Sequence, residues 1–134
     1  TLRYEGNSLY KYVKLANVTA TVAVVAGDPV AYLAATGYTT HAVVSDMTDA
    51  DPQPIGAGIL MGTVAGVLAT SYYCWIKVKG PATVNTALAG TPVVGSGLMS
   101  STTDKTLTLA TGVISPMATC QHVANKLIVC NFPH

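Results

Sequence analysis

An all-β fold, a small sandwich or barrel of short antiparallel strands with an extended N-terminal arm, is what this chain predicts on three observations. Strong surface helix formers are nearly absent, with one Glu, one Arg and two Gln in 134 residues. Val, Thr, Ala and Gly dominate instead, and the β-branched ones favour extended backbone. Turn signals also recur every 8–12 residues or so, the roughly even spacing of a small sandwich or barrel.

Taken in order, residues 1–20 form the arm and 21–134 a single β domain. The arm carries Tyr4, Tyr10 and Tyr12 together with Arg3, Lys11 and Lys14, and Glu5 is its only acid. It has no clear single period, so it is expected to lie against a partner, and removal of residues 1–14 is expected to spare the fold. Thr21–Val25 then leads into the turn Gly27-Asp28-Pro29, followed by strands at Val30–Leu33 and His41–Ser45. Asp46–Pro54 is a loop with three acids and two prolines. Ile55–Met61 and Val64–Leu68 follow, laced by Gly56, Gly58, Gly62 and Gly66. Tyr72–Lys79 is the clearest strand, closed by Gly80-Pro81, and later candidates are Ala82–Asn85, Pro92–Val94, Thr106–Ala110 and Lys126–Asn131. Ala26-Gly27-Asp28-Pro29-Val30-Ala31 is echoed by Ala89-Gly90-Thr91-Pro92-Val93-Val94, which either a repeated unit or shared turn chemistry explains.

Composition narrows function. Half of the residues are hydrophobic and only 10% are charged, against about 25% in an ordinary soluble domain. So poorly solvated a surface is one that partners cover. The net charge of +1 supplies no field to recruit nucleic acid. Cys74, Cys120 and Cys130 are odd in number and none lies in a C-x-x-C pair. With no signal-peptide pattern, a chain made in a reducing cytoplasm is expected, and Cys74 in an alternating strand and Cys130 in an apolar run read as buried small hydrophobes. A membrane reading rests on Pro52–Ile76, which contains no charge and spaces Gly58, Gly62 and Gly66 as small-xxx-small. Its glycines and hydroxyls, and its end alternating by twos, argue for strands.

Catalytic and cofactor motifs fail one by one. No Walker loop occurs, Gly56-x-Gly58-x-x-x-Gly62 misses the dinucleotide spacing, and Gly95-Ser96-Gly97 is no nucleophile elbow. His41, Ser45 and Asp46 are close in sequence, but a triad needs convergence in space. Cys120 and His122 supply too few ligands for zinc, and Asp46, Asp49 and Asp51 lack the spacing of a calcium loop. The expectation is no enzyme, no cofactor and no metal.

Tyr72–Lys79 is the informative segment. On a strand, Tyr72, Cys74, Ile76 and Val78 share one face and suit a core. Tyr73, Trp75, Lys77 and Lys79 share the other, and aromatics beside cations are typical of interface centres. The candidate interface is Arg3, Tyr4, Tyr10 and Tyr12 from the arm with Tyr73, Trp75, Lys77 and Lys79 from the strand, the alternative being that Trp75 packs under a loop or the N-terminal arm.

Ser71-Tyr72-Tyr73-Cys74-Trp75-Ile76-Lys77-Val78-Lys79-Gly80-Pro81-Ala82-Thr83 resembles a stretch of the small head decoration (cement) proteins of tailed bacteriophages, where an aromatic strand likewise follows a Gly-rich one. Gly27-Asp28-Pro29-Val30, Gly90-Thr91-Pro92-Val93 and the apolar Leu127–Phe132 fit the same pattern, so the resemblance spans residues 26–132 in outline. It brings no catalytic residues. It implies a virion protein on the capsid exterior that bridges neighbouring capsomers, with the major capsid protein as partner and self-association as a dimer or trimer. Nucleic acid and membrane are not expected partners. The alternatives are a small lysis or channel protein with a helix around 52–76, and a carbohydrate- or ligand-binding β-module.

Overall fold

The structure is a computed structural model that describes residues 2–15, 25–33, 40–45, 55–62, 72–101, 105–110 and 117–133. Among the described residues ten strands form: β1 (Leu2–Glu5), β2 (Ser8–Leu15), β3 (Pro29–Tyr32), β4 (Ala42–Val44), β5 (Gly56–Leu60), β6 (Tyr72–Thr83), β7 (Gly97–Ser100), β8 (Leu107–Leu109), β9 (Ala118–His122) and β10 (Leu127–Asn131). The expected all-β class is what forms. Strands β2, β4, β3, β5 and β6 pair in that order, and a β2–β6 ladder closes the ring into a five-stranded barrel. Every pair is antiparallel except β2–β4. Beyond β6 the order continues through β10, β9 and β7 to β8, and β1 lies outside β2.

One hydrophobic core serves both parts. Leu9, Val13 and Leu15 of β2, Val30 and Tyr32 of β3, Ile59 of β5 and Ile76 and Val78 of β6 are all buried in it. Leu98, Leu107, Cys120, Ile128, Cys130 and Phe132 continue it beneath the second group of strands. Strands β3 and β4 are buried on both faces, because Ala31 and Val44 form a small second cluster with Leu33.

The N-terminal segment is extended, as expected, but it is no appendage. Its residues 2–15 are a hairpin whose second strand is a stave of the barrel. Leu9, Lys11, Val13 and Leu15 alternate inward, and Lys11 hid that period by placing a charge among the apolar residues. Burial of an apolar side chain contributes roughly 1.5–3 kcal/mol, and removal of residues 1–14 takes away buried Leu9 and Val13 with most of a barrel strand, so it is expected to unfold the barrel and not to spare it.

Strand β6 is also longer than its sequence suggests. Gly80-Pro81 reads as a stop, yet the strand runs on to Thr83. Its first part, Tyr72–Lys79, pairs with β2, and its last part, Lys79–Thr83, pairs with β10. Gly80 makes the transfer at a φ of 106°, where an added Cβ would lie 2.8 Å from Ser8 Oγ and 2.9 Å from the Asn7 carbonyl. One strand thereby belongs to both the barrel and the second group.

The turn at Gly27-Asp28 forms as expected and acts as a clamp. Gly27 N–H donates to the Leu60 carbonyl at 2.8 Å and Leu60 N–H to the Asp28 carbonyl at 2.9 Å. The buried Asp28 carboxylate accepts from Val25 N–H at 2.9 Å and from Asn85 Nδ2 at 3.3 Å, and lies 3.7 Å from Lys105 Nζ. Its echo at Gly90-Thr91 leads into no strand, so Pro92–Val94 is a correction. The Val64–Leu68 strand, the Asp46–Pro54 loop and nearly all of Thr21–Val25 lie outside the described residues. Within Pro52–Ile76, residues 56–60 and 72–76 are strand, which overturns the helix alternative there. Among the described residues no helix is long and apolar enough to cross a membrane.

Strand β5 lies close against its neighbours because it carries glycine. A Cβ on Gly56 would sit 2.6 Å from Ser100 Oγ and 2.8 Å from both Met117 Sδ and Phe132 Cε1. Gly56→Ala is expected to lower unfolding free energy by about 1–3 kcal/mol through overpacking, read as an earlier urea midpoint. An unchanged midpoint would show that this junction can relax.

Candidate interface on the outer face of β2 and β6

The alternation of β6 fixes which side chains leave the barrel. Cys74, Ile76 and Val78 turn toward the core, while Tyr73 is 65% exposed, Lys79 is exposed, and Trp75 and Lys77 are half-buried. Strand β2 does the same in complementary register, burying Leu9, Lys11, Val13 and Leu15 and turning Tyr10, Tyr12 and Lys14 outward. Directly opposed residues on paired strands share a face. The β2–β6 register sets Lys14 opposite Tyr73, Tyr12 opposite Trp75 and Tyr10 opposite Lys77, and the hairpin sets Arg3 opposite Tyr10.

The result is a continuous strip. Tyr12 stacks on Tyr73 with ring centroids 5.8 Å apart and an interplanar angle of 20°, and meets Trp75 at 5.1 Å in a tilted arrangement. Lys77 Nζ lies 5.5 Å from the centre of the Tyr10 ring and donates to the Pro81 carbonyl at 2.7 Å, which holds its charge at the strip's margin. At the hairpin end Arg3 donates to Glu5 at 3.0 Å, an exposed pair. Arg3, Glu5, Tyr10, Met61 and Trp75 surround a shallow depression of about 250 Å³.

Six of the eight expected residues thus come together: Arg3, Tyr10, Tyr12, Tyr73, Trp75 and Lys77. Two do not. Tyr4 opposes Leu9, which points inward, so Tyr4 projects from the other face of the hairpin at 71% exposure. Lys79 stands where β6 passes from β2 to β10 and lines a separate groove with Asn7, Pro81 and Val129. Lys14 and Met61 are the residues the sequence reading missed, and only the cross-strand register brings them in.

Of the weaker chemical constellations, His41 with Ser45 and Cys120 with His122 do not assemble, and Asp46, Asp49 and Asp51 lie outside the described residues. His41 is exposed on a turn with a φ of 56°, whereas Ser45 is fully buried. Cys120 is buried and His122 is exposed, its Nδ1 accepting from Asn125 N–H at 3.1 Å. Among the described residues no three His, Cys, Asp or Glu side chains are placed to share a metal ion. Burial pushes the Cys74 thiol up to about 11 and the Cys130 thiol up to about 12, so both are poor nucleophiles.

Comparison with protein families, with curated proteins and with solved structures finds no match.

Behind the strip, on the barrel side of β2, Lys11 is buried and donates to the Tyr32 hydroxyl at 2.9 Å, and that hydroxyl donates to the Pro133 carbonyl at 3.2 Å. Desolvation lowers the Lys11 pKa below its usual 10.5, and His41 is also lowered, first by desolvation and then by the charge of Lys11. A depressed lysine means that the unfolded chain holds this proton more tightly. The Lys11 contribution to stability therefore rises with pH between the folded value and 10.5. Lys11→Met removes that dependence: the stability of wild type relative to the variant is expected to climb as pH approaches 10.5 in urea titrations. A difference that is flat or falls with pH would contradict the assignment.

Proposed function

We propose that this chain is a structural virion subunit that binds the outer capsid surface and cements neighbouring capsomers, with the major capsid protein as its partner. The observation that carries this reading is the aromatic and cationic strip on the outer wall of the barrel. Tyr12, Tyr73 and Trp75 present rigid apolar area at low entropic cost, and Arg3, Lys14 and Lys77 flank it. Such residues dominate binding energy when desolvated at the centre of an interface. The 10% charged composition supports extensive contact with other protein surfaces, and so does the likeness of 71–83 to the decoration proteins. Nothing about the strip calls for catalysis, and the role is read as structural.

Cementing follows from multivalency. A rigid platform that touches two neighbouring capsomers converts its second contact into an intramolecular event, so modest interfaces on one lattice gain avidity. Their summed free energy must be lost before the shell can separate under internal pressure.

A second reading, a carbohydrate- or ligand-binding module, is favoured by the depression beside Trp75, where an aromatic wall meets the Arg3–Glu5 pair. The chain has a single Trp, so sugar-dependent quenching of its fluorescence reports that reading directly.

The deciding experiment is co-sedimentation of the purified chain with capsids that lack it. Wild type is expected to pellet with them at micromolar concentration, whereas Tyr73→Ala and Trp75→Ala weaken binding at least about tenfold each with unchanged circular dichroism. Failure of wild type to pellet would overturn the proposal.

A further inference from the structure

The ten-stranded order has two ends, and they differ. At one end, the outer edge of β8 is bridged by Ala89, whose N–H donates to the Leu107 carbonyl at 3.0 Å and whose carbonyl accepts from Leu109 N–H at 3.0 Å. At the other end, β1 pairs with β2 alone among the described residues, and all four of its residues are exposed. An open edge of this kind is a template for another strand.

The hairpin determines which backbone groups face outward. Gly6 and Asn7 form a two-residue loop closed by the Glu5–Ser8 pair, with a φ of 59° at Gly6 and no positive φ at Asn7, the pattern of a type II′ turn. Such a loop is closed by a hydrogen-bonded pair, so Glu5 and Arg3 direct their N–H and C=O groups to β2. Leu2 and Tyr4 direct theirs to the free edge.

We propose that two copies of this chain pair through β1, antiparallel and two-fold symmetric about Tyr4. The register follows from charge. Outward-facing backbone groups must meet one another, which leaves, besides a register centred on Leu2 that brings neither Arg3 nor Glu5 opposite a charge, three symmetric registers, centred on Arg3, Tyr4 or Glu5. The first sets Arg3 against its own copy and the last sets Glu5 against its own copy, both like-charge contacts. Centring on Tyr4 instead places Arg3 opposite Glu5 of the second copy, twice, and sets the two exposed Tyr4 rings side by side. The strand is self-complementary in that register alone, and an isologous contact of this kind closes as a dimer.

The consequence reaches the strip. Arg3 shares its face with Tyr10 and Lys77, so pairing through β1 continues one sheet across the two-fold from β6 and β2 of one copy to β2 and β6 of the other. Two aromatic strips then lie on one bivalent face. The dimer itself does not depend on what that face binds, and it is measured without capsids.

The test is disulfide trapping with sedimentation velocity on the full chain. Paired residues at the two-fold lie roughly 5.5 Å apart between Cα atoms, within disulfide range, so Tyr4→Cys is expected to give a covalent dimer on oxidation with diamide. Leu2→Cys, displaced from the axis, is expected to stay uncrosslinked, as is the parent chain with Cys120 and Cys130 buried and Cys74 half-buried. Without oxidant, Arg3→Glu is expected to raise the dimer dissociation constant about tenfold or more, and addition of Glu5→Arg to restore it. These positions are exposed, so the variants leave the core untouched. A parent chain that sediments as a monomer throughout, crosslinking of Leu2→Cys equal to that of Tyr4→Cys, or no rescue by the double exchange would each overturn the proposal.

Discussion

Seven opposed pairs between β2 and β6, from Leu9–Lys79 to Leu15–Tyr72, are the constraint on which the rest of the molecule depends. They close the barrel, and closure removes two strand edges that would otherwise stand open to other chains. They bring Leu9, Val13 and Leu15 onto the same core as Ile76 and Val78. They also set Tyr12 beside Trp75 and Tyr73, so the ladder that seals the core builds the outer strip as well. Fold and candidate interface are two faces of one pairing.

The strip owes its character to this arrangement. An aromatic side chain on a flexible arm would lose much conformational freedom on binding, whereas Tyr12 and Trp75 are already held by their neighbours and by a rigid wall. Lys77 is tied to the Pro81 carbonyl and Arg3 to Glu5, so the flanking charges are positioned as well. Preorganisation of this kind lets a modest area bind usefully when many copies engage one lattice. Behind the strip, the buried Lys11–Tyr32–Pro133 chain of hydrogen bonds ties β2 to β3 and to the segment after β10.

Much of this was legible in the sequence, and the gaps have physical causes. Tyr72–Lys79 announced its faces because a strand sorts side chains by twos, and Cys74, Ile76 and Val78 on one side and Tyr73, Trp75 and Lys77 on the other stand where alternation puts them. The turn at Gly27-Asp28 was visible through its local chemistry, although its clamp on Leu60 and Asn85 was not, since those partners are distant in sequence. The N-terminal segment misled because Lys11 occupies an inward position and tyrosines occupy outward ones, which inverts the usual polarity code. Gly80-Pro81 misled for a related reason: a pair that ordinarily ends a strand here lets one strand change partners. Register is a long-range property, so Lys14 and Met61 could enter the site only through the structure.

Native-state hydrogen exchange tests the central claim, that the N-terminal hairpin closes the barrel and so creates the strip. The amides of residues 9–15 that bond across to β6 are expected to exchange with the same free energy as those of 73–79, close to that of global unfolding. Exchange of residues 9–15 by local opening at a far lower free energy, while 73–79 stay protected, would contradict it.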